Sequence, residues 1–124
     1  LVEELGRGCG LAGQATATCA RVGESDFTMR VRDAAPGAPA FLLLGTDRID
    51  TPCGSCRLIL NPFTSFVFST TTNSRGNAEV NLAIPNIGAI RGVSLIEQWI
   101  LVHGTGACSI LGSDLSTAIR FEIQ

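Results

Sequence analysis

The stretch Phe27-Thr28-Met29-Arg30-Val31-Arg32 alternates apolar and polar side chains at every step. A period of two places Phe27, Met29 and Val31 on one face of an extended strand and Thr28, Arg30 and Arg32 on the other. The pattern recurs outward from there. Ala78, Val80, Leu82 and Ile84 alternate with Glu79, Asn81 and Ala83, and Ile119, Phe121 and Ile123 alternate with Arg120 and Glu122. Each segment reads as a strand with one buried and one wet face.

Further strands are expected at residues 16–22, 39–45, 57–61, 65–70 and 95–103. The run 95–102 is apolar on both faces apart from Glu97 and Gln98, which predicts a central strand with Trp99 as a core anchor. Turn residues punctuate these runs at Gly23-Glu24-Ser25-Asp26, Ala35-Pro36-Gly37, Asn73-Ser74-Arg75-Gly76 and Gly104-Thr105-Gly106. No stretch sustains a 3.6-residue apolar period. The best case for a helical turn, 90–95, is weakened by Gly88 and Gly92. The expected fold is therefore all-β. It is an antiparallel β-sandwich of about eight strands, jelly-roll or immunoglobulin-like, stapled by disulfides. Residues 14–124 form the sandwich, and 1–13, rich in glycine and without periodicity, form an extended N-terminal arm.

One domain accommodates 124 residues. Only 16% are charged, a low share that favours association with copies or partners. All nine cations are arginines, scattered along a chain of net charge −2, which argues against nucleic-acid binding. No apolar run approaches the length of a membrane-spanning helix. The chain opens on Leu1, as a processed or trimmed product would, and removal of an export signal is one explanation.

Several segments in order resemble a poorly characterised β-sandwich domain family of secreted planctomycete and myxobacterial proteins. They are Gly8-Cys9-Gly10, DAAPGAPAFLLLG at 33–45, PCGSCRLIL at 52–60, SRGNAEVNLAIP at 74–85, and 92–101. In the last of these, Leu95-Ile96-Glu97-Gln98-Trp99 replaces the family's Leu-Tyr-Xaa-Gln-Trp/Ala. The resemblance covers nearly the whole chain and implies an exported sandwich with no catalytic residues. The family's domain usually ends larger proteins, whereas this chain is expected to stand alone, and it adds Cys19, Cys53 and Cys108.

Five cysteines point to an oxidising compartment, and an odd number leaves one unpaired or bonded between chains. The resemblance implies a Cys9–Cys56 disulfide, worth about 3–4 kcal/mol through the unfolded chain. Of the other three, Cys19 is conceivable as the partner of Cys108, which leaves Cys53 spare; the spacing does not fix connectivity. Cys53-Gly54-Ser55-Cys56 also fits a redox pair or half a zinc site. A redox motif needs a following helix, yet 57–60 reads as a strand, and no second ligand pair stands close by for zinc.

His103 is the one histidine and the one candidate base of its kind, expected at a solvent-facing strand end. Asp47, Asp50 and Asn61 are loop oxygens that calcium would accept, but no regular Asp-x-Asp-x-Asp run is present and turn chemistry is the plainer account. Phe63, Phe66 and Phe68 are expected to pack under a loop. The hydroxyl-rich run Ser69-Thr70-Thr71-Thr72-Asn73 could dock a sugar, or simply be a wet strand edge.

The leading expectation is a non-enzymatic extracellular structural protein that self-assembles into a surface filament or layer. Strand exchange would use the arm, with Leu1, Val2, Leu5 and Leu11 as its apolar contacts. The alternative is an adhesion module for carbohydrate or another surface polymer. No cofactor, metal or nucleic acid is expected. The expected partners are further copies of the chain or a surface polysaccharide.

Overall fold

The computed structural model of this chain describes residues 2–6, 8–9, 12–103, 106, 108 and 112–124. The described residues form β1 Val2–Gly6, β2 Ala12–Ala17, β3 Phe27–Ala34, β4 Pro39–Gly45, β5 Arg48–Cys53, β6 Cys56–Leu60 and β7 Phe66–Thr71. They continue with β8 Ala78–Leu82, a 3-10 turn at Gly88–Ile90, β9 Ser94–Val102, β10 Ser113–Leu115 and β11 Ala118–Glu122. Every pairing between them is antiparallel.

The alternation in β3 does what its period requires. Phe27, Met29 and Val31 are buried, and Arg30 and Arg32 lie on the outer face. β3 sits between β2 and β8 in a three-stranded sheet, which faces a larger sheet ordered β1-β11-β9-β4-β7, with β10 also paired to β9. Between the sheets lies the principal core, where Met29, Leu42, Trp99 and Leu101 are essentially sealed from solvent. Phe27 and Phe121 meet in this layer at a 5.2 Å ring separation.

β9 is central, as its two-sided apolar character predicts. Odd-numbered residues Leu95, Trp99 and Leu101 serve the principal core, and even-numbered Ile96 and Ile100 enter a second cluster. That second cluster lies beneath the β5–β6 hairpin, which covers the far face of the large sheet and contributes Leu58, Ile59 and Leu60. The architecture is a β-sandwich with a hairpin flap.

Gln98 fastens the flap. Its Oε1 accepts the Ile59 N–H at 2.9 Å, and its Nε2 donates to Arg57 O at 2.9 Å and Ser116 O at 3.3 Å. One buried amide thereby satisfies backbone groups of two neighbouring segments, which removes the penalty each would carry inside an apolar layer.

Among the described residues eleven strands replace the eight expected, and the extra ones come from segments without alternation. β1 belongs to the residues expected as an extended N-terminal arm. It forms an edge of the large sheet, with Val2 opposite Phe121 and Gly6 opposite Ala118, and Arg120 bonds Glu3 at 2.7 Å. β2 starts at Ala12, so the boundary at 13 falls inside a strand. Both chain ends are extended, and each supplies the other's pairing partner. Gly76 closes the turn before β8 at φ +77°. A Cβ there would lie 1.9 Å from Ala34 O, so only glycine fits.

Candidate functional site

β7 is the free edge of the large sheet opposite β1. Its sequence, Phe66-Val67-Phe68-Ser69-Thr70-Thr71, carries no charge and no proline. Folded proteins usually protect such an edge with charges, prolines or bulges. β1 carries Glu3 and Glu4, and β8 carries Glu79. β2 is uncharged but has no side chain larger than that of Gln14. β7 is thus the one edge among the described strands that combines a neutral surface with exposed large apolar groups.

The phenylalanines correct the expectation that they pack under a loop. Phe63 is 95% exposed, Phe66 72% and Val67 51%, and only Phe68 packs against the principal core. A strand at the rim has no neighbour to cover its alternate side chains. The loop before it is braced rather than slack. Asp47 Oδ2 accepts from Asn61 Nδ2 and Thr64 Oγ1, both at 3.0 Å, and Phe63 N–H donates to Asn61 Oδ1 at 3.0 Å. These bonds brace the backbone of the turn that carries Phe63.

The cysteines lie at the flap. Cys9 is bonded to Cys56, the pairing that the resemblance implies. Cys53 is bonded to Cys108, and Cys19 is free and exposed. This corrects the assignment of Cys53 as the spare thiol and of Cys19 as the partner of Cys108. Cys53 and Cys56 are opposite each other across the Gly54-Ser55 turn of the β5–β6 hairpin, so both project from one face of it. Cys56 meets the N-terminal segment there, and Cys53 meets the segment after β9. Cys19 lies far from this point, bordering a groove with Val2, Phe121 and Gln124. The C-x-x-C turn joins two strands and precedes no helix, so neither thiol gains the helix N-terminus that a redox pair uses.

His103 is only partly exposed, and its Nε2 lies 2.6 Å from Oδ2 of the buried Asp114. An acid beside the imidazole is the partner a catalytic base would have. Cys9 Sγ, 4.0 Å from Asp114 Oδ1, is spent in a disulfide, and Ser113 is sealed from solvent.

The calcium candidates diverge. Asp47 is engaged by Asn61 and Thr64. Asp50 bonds Arg57 at 2.8 Å and Arg48 at 3.3 Å, and the Arg57 contact holds its carboxyl below the ordinary value. The only cluster of possible ligands among the described residues is Cys9, Cys56 and Asp114, whose two sulfurs are bonded to each other. No described helix is long and apolar enough to cross a membrane.

Of the arm residues, Leu1 and Leu11 lie outside the described residues. Val2 is exposed, and Leu5 packs against the second cluster within its own chain. The arm that strand exchange would lend is therefore already seated at home. Sequence reasoning allowed a wet strand edge at 69–73 but missed the exposure of Phe63, Phe66 and Val67, although the missing charge from 61 to 73 is visible in the chain. No protein-family model matches this chain, and no curated protein matches it.

Proposed function

We propose that this chain is a non-enzymatic, exported structural protein that self-assembles by adding the β7 edge of one copy to a neighbouring copy. The neutral, aromatic-bearing edge of β7 carries the reading. A bare edge of this kind is a template for strand addition, and Phe63, Phe66 and Val67 are apolar surface that water solvates poorly.

A second copy is the occupant that this edge suits. The large sheet has two ends, β7 and β1. Joining the β7 of one copy to the β1 of the next would continue the sheet head to tail, with Glu3 already paired to Arg120 and Glu4 the one unpaired charge of that strand among the described residues, and such heterologous contacts propagate into filaments. Strand addition at the edge takes the place of arm exchange, because β1 keeps its partner β11 throughout.

Two disulfides suit an oxidising exterior, as does the resemblance of the Cys9 and Cys56 segments to an exported module. Analytical ultracentrifugation over rising concentration, followed by negative-stain microscopy, tests the reading. Species that grow with concentration and lengthen into filaments are expected. A chain that stays monomeric at millimolar concentration ends the proposal.

A further inference from the structure

A polar groove of about 480 Å³ lies where the end of β7 and the turn after it meet the outer face of β3 and β8. The hydroxyl-rich run singled out in the sequence supplies one wall, through Thr70, Thr71 and Asn73. Arg30, Arg32 and Glu79 supply the other, and Asn77 closes one end.

The hydrogen-bonding state of these groups is informative. Asn73 Oδ1 accepts the N–H groups of Arg75 and Asn77 at 2.9 and 3.0 Å, and Asn77 Oδ1 accepts the N–H of Asp33 at 3.3 Å. Both amide oxygens are used by the turn, so both Nδ2 groups remain as free donors. Arg30 is neutralised by Glu79 at 2.8 Å. The guanidinium of Arg32 makes no ion pair or hydrogen bond among the described residues, and the hydroxyls of Thr70 and Thr71 are likewise unengaged there. The groove therefore holds a surplus of donors and one uncompensated positive charge. Asp33, the acid next to Arg32 in sequence, lines a different groove with Glu4 and Gln14.

The wall is rigid. Buried Thr72 accepts the Ala38 N–H at 2.8 Å and donates to Ala35 O at 2.6 Å, which pins the turn from beneath. Preformed donors of this kind lose little freedom on binding.

We infer that this groove binds an acidic polysaccharide, with Arg32 taking a sugar carboxylate and the Thr71, Asn73 and Asn77 donors taking the ring oxygens beside it. A carboxylate satisfies the one free cation in a charge-assisted bond. A polyhydroxylated ring matches hydroxyl and amide donors better than an apolar ligand would. Nucleic acid is disfavoured, since one uncompensated arginine offers no basic track along a backbone. No aromatic residue lines the groove, so recognition rests on charge and hydrogen bonds and weakens with salt.

Isothermal titration with oligogalacturonate tests the inference, on protein dilute enough to sediment as one species, because a copy added at β7 would cover Thr70 and Thr71. Neutral cello-oligosaccharide and inorganic phosphate are the comparison titrants. Binding of the uronate alone is expected, weakening as salt rises. Arg32→Gln is expected to lose about tenfold in affinity, and Thr71→Val several-fold, with unchanged circular dichroism. Arg32 is exposed, so neither its loss nor that of one hydroxyl threatens the fold. The inference fails if oligogalacturonate does not bind, if the neutral sugar binds equally, if phosphate competes at equal concentration, or if Arg32→Gln binds like the parent chain.

Discussion

The indole Nε1–H of Trp99 donates a 2.8 Å hydrogen bond to Oε2 of Glu97, two residues earlier on β9 and on the same face of the sheet. Glu97 is fully buried between the sheets, and its second oxygen, Oε1, has no partner. Burial raises its pKa from 4.5 to about 8, against the opposing pull of the Trp99 bond. The carboxyl is thus largely protonated at neutral pH, the form that costs least in an apolar layer.

Stability should fall as pH rises because of this one residue. The folded-state pKa lies above the unfolded one, so the folded chain holds the extra proton between them. The loss begins near the unfolded value, grows through the folded value of about 8, and then levels. The full span corresponds to roughly 5 kcal/mol as an order of magnitude. Glu97→Gln keeps the shape and the acceptor for Trp99 but cannot ionise. Urea melts of both proteins from pH 5 to pH 9 should show the variant gaining on the parent at each step. Parallel curves would mean that Glu97 does not titrate in this range.

Gln98, the next residue, should matter through the flap. Gln98→Leu leaves the buried Ile59 N–H without its acceptor, at a cost of about 1–3 kcal/mol, with the Arg57 and Ser116 carbonyls losing a donor as well. Amide exchange should accelerate in β6 first, while β3 and β8 stay protected. Uniform acceleration over both sheets would show that the amide supports the whole sandwich and not the hairpin.

These two polar residues show what the sequence makes legible and what it hides. Alternation gave β3, β8 and β11, because one wet and one dry face leave a period of two. The apolar run marked β9 as central and placed Trp99 in the core. Glu97 and Gln98 interrupt that run and look alike there. Only the parity of the strand separates the acid facing the principal core from the amide facing the flap. β1 and β5 were invisible because their side chains are mostly exposed or irregular, and β5 also shifts register between Arg48 and Thr51. The disulfide partners were hidden for a further reason. A local motif makes the hairpin that carries Cys53 and Cys56, but distant segments decide which sulfur each one meets. Exposure of Phe63 and Phe66 depends on β7 standing at the rim, which residue type alone never reveals.

Peptide mapping under non-reducing conditions should recover Cys9 with Cys56 and Cys53 with Cys108, and alkylation of the folded protein should label Cys19 alone. The Cys53–Cys108 bond spans 55 residues, for which chain entropy predicts about 4 kcal/mol of stabilisation. Removing it with Cys53→Ala and Cys108→Ala together should lower the melting temperature sharply, and Cys19→Ser should leave it unchanged because that residue is exposed. A Cys19 linkage to either of the other two would overturn the assignment.

Val67→Lys addresses the edge directly. Val67 is half-exposed on β7, so the substitution should change the folding stability of the isolated chain by no more than about 0.5 kcal/mol. A lysine on a free edge is the commonest device that keeps sheets from adding to one another, because each new neighbour would have to desolvate its charge. The variant should therefore remain a monomer under conditions in which the parent chain assembles. Phe63→Ser, which removes apolar surface beside the edge but leaves the strand's backbone groups free, should weaken assembly without abolishing it. The difference between the two follows from what each removes: strand pairing is directional and blocked by one charge, whereas apolar contact scales with area. Equal assembly by Val67→Lys and the parent chain would place the contact elsewhere on the molecule.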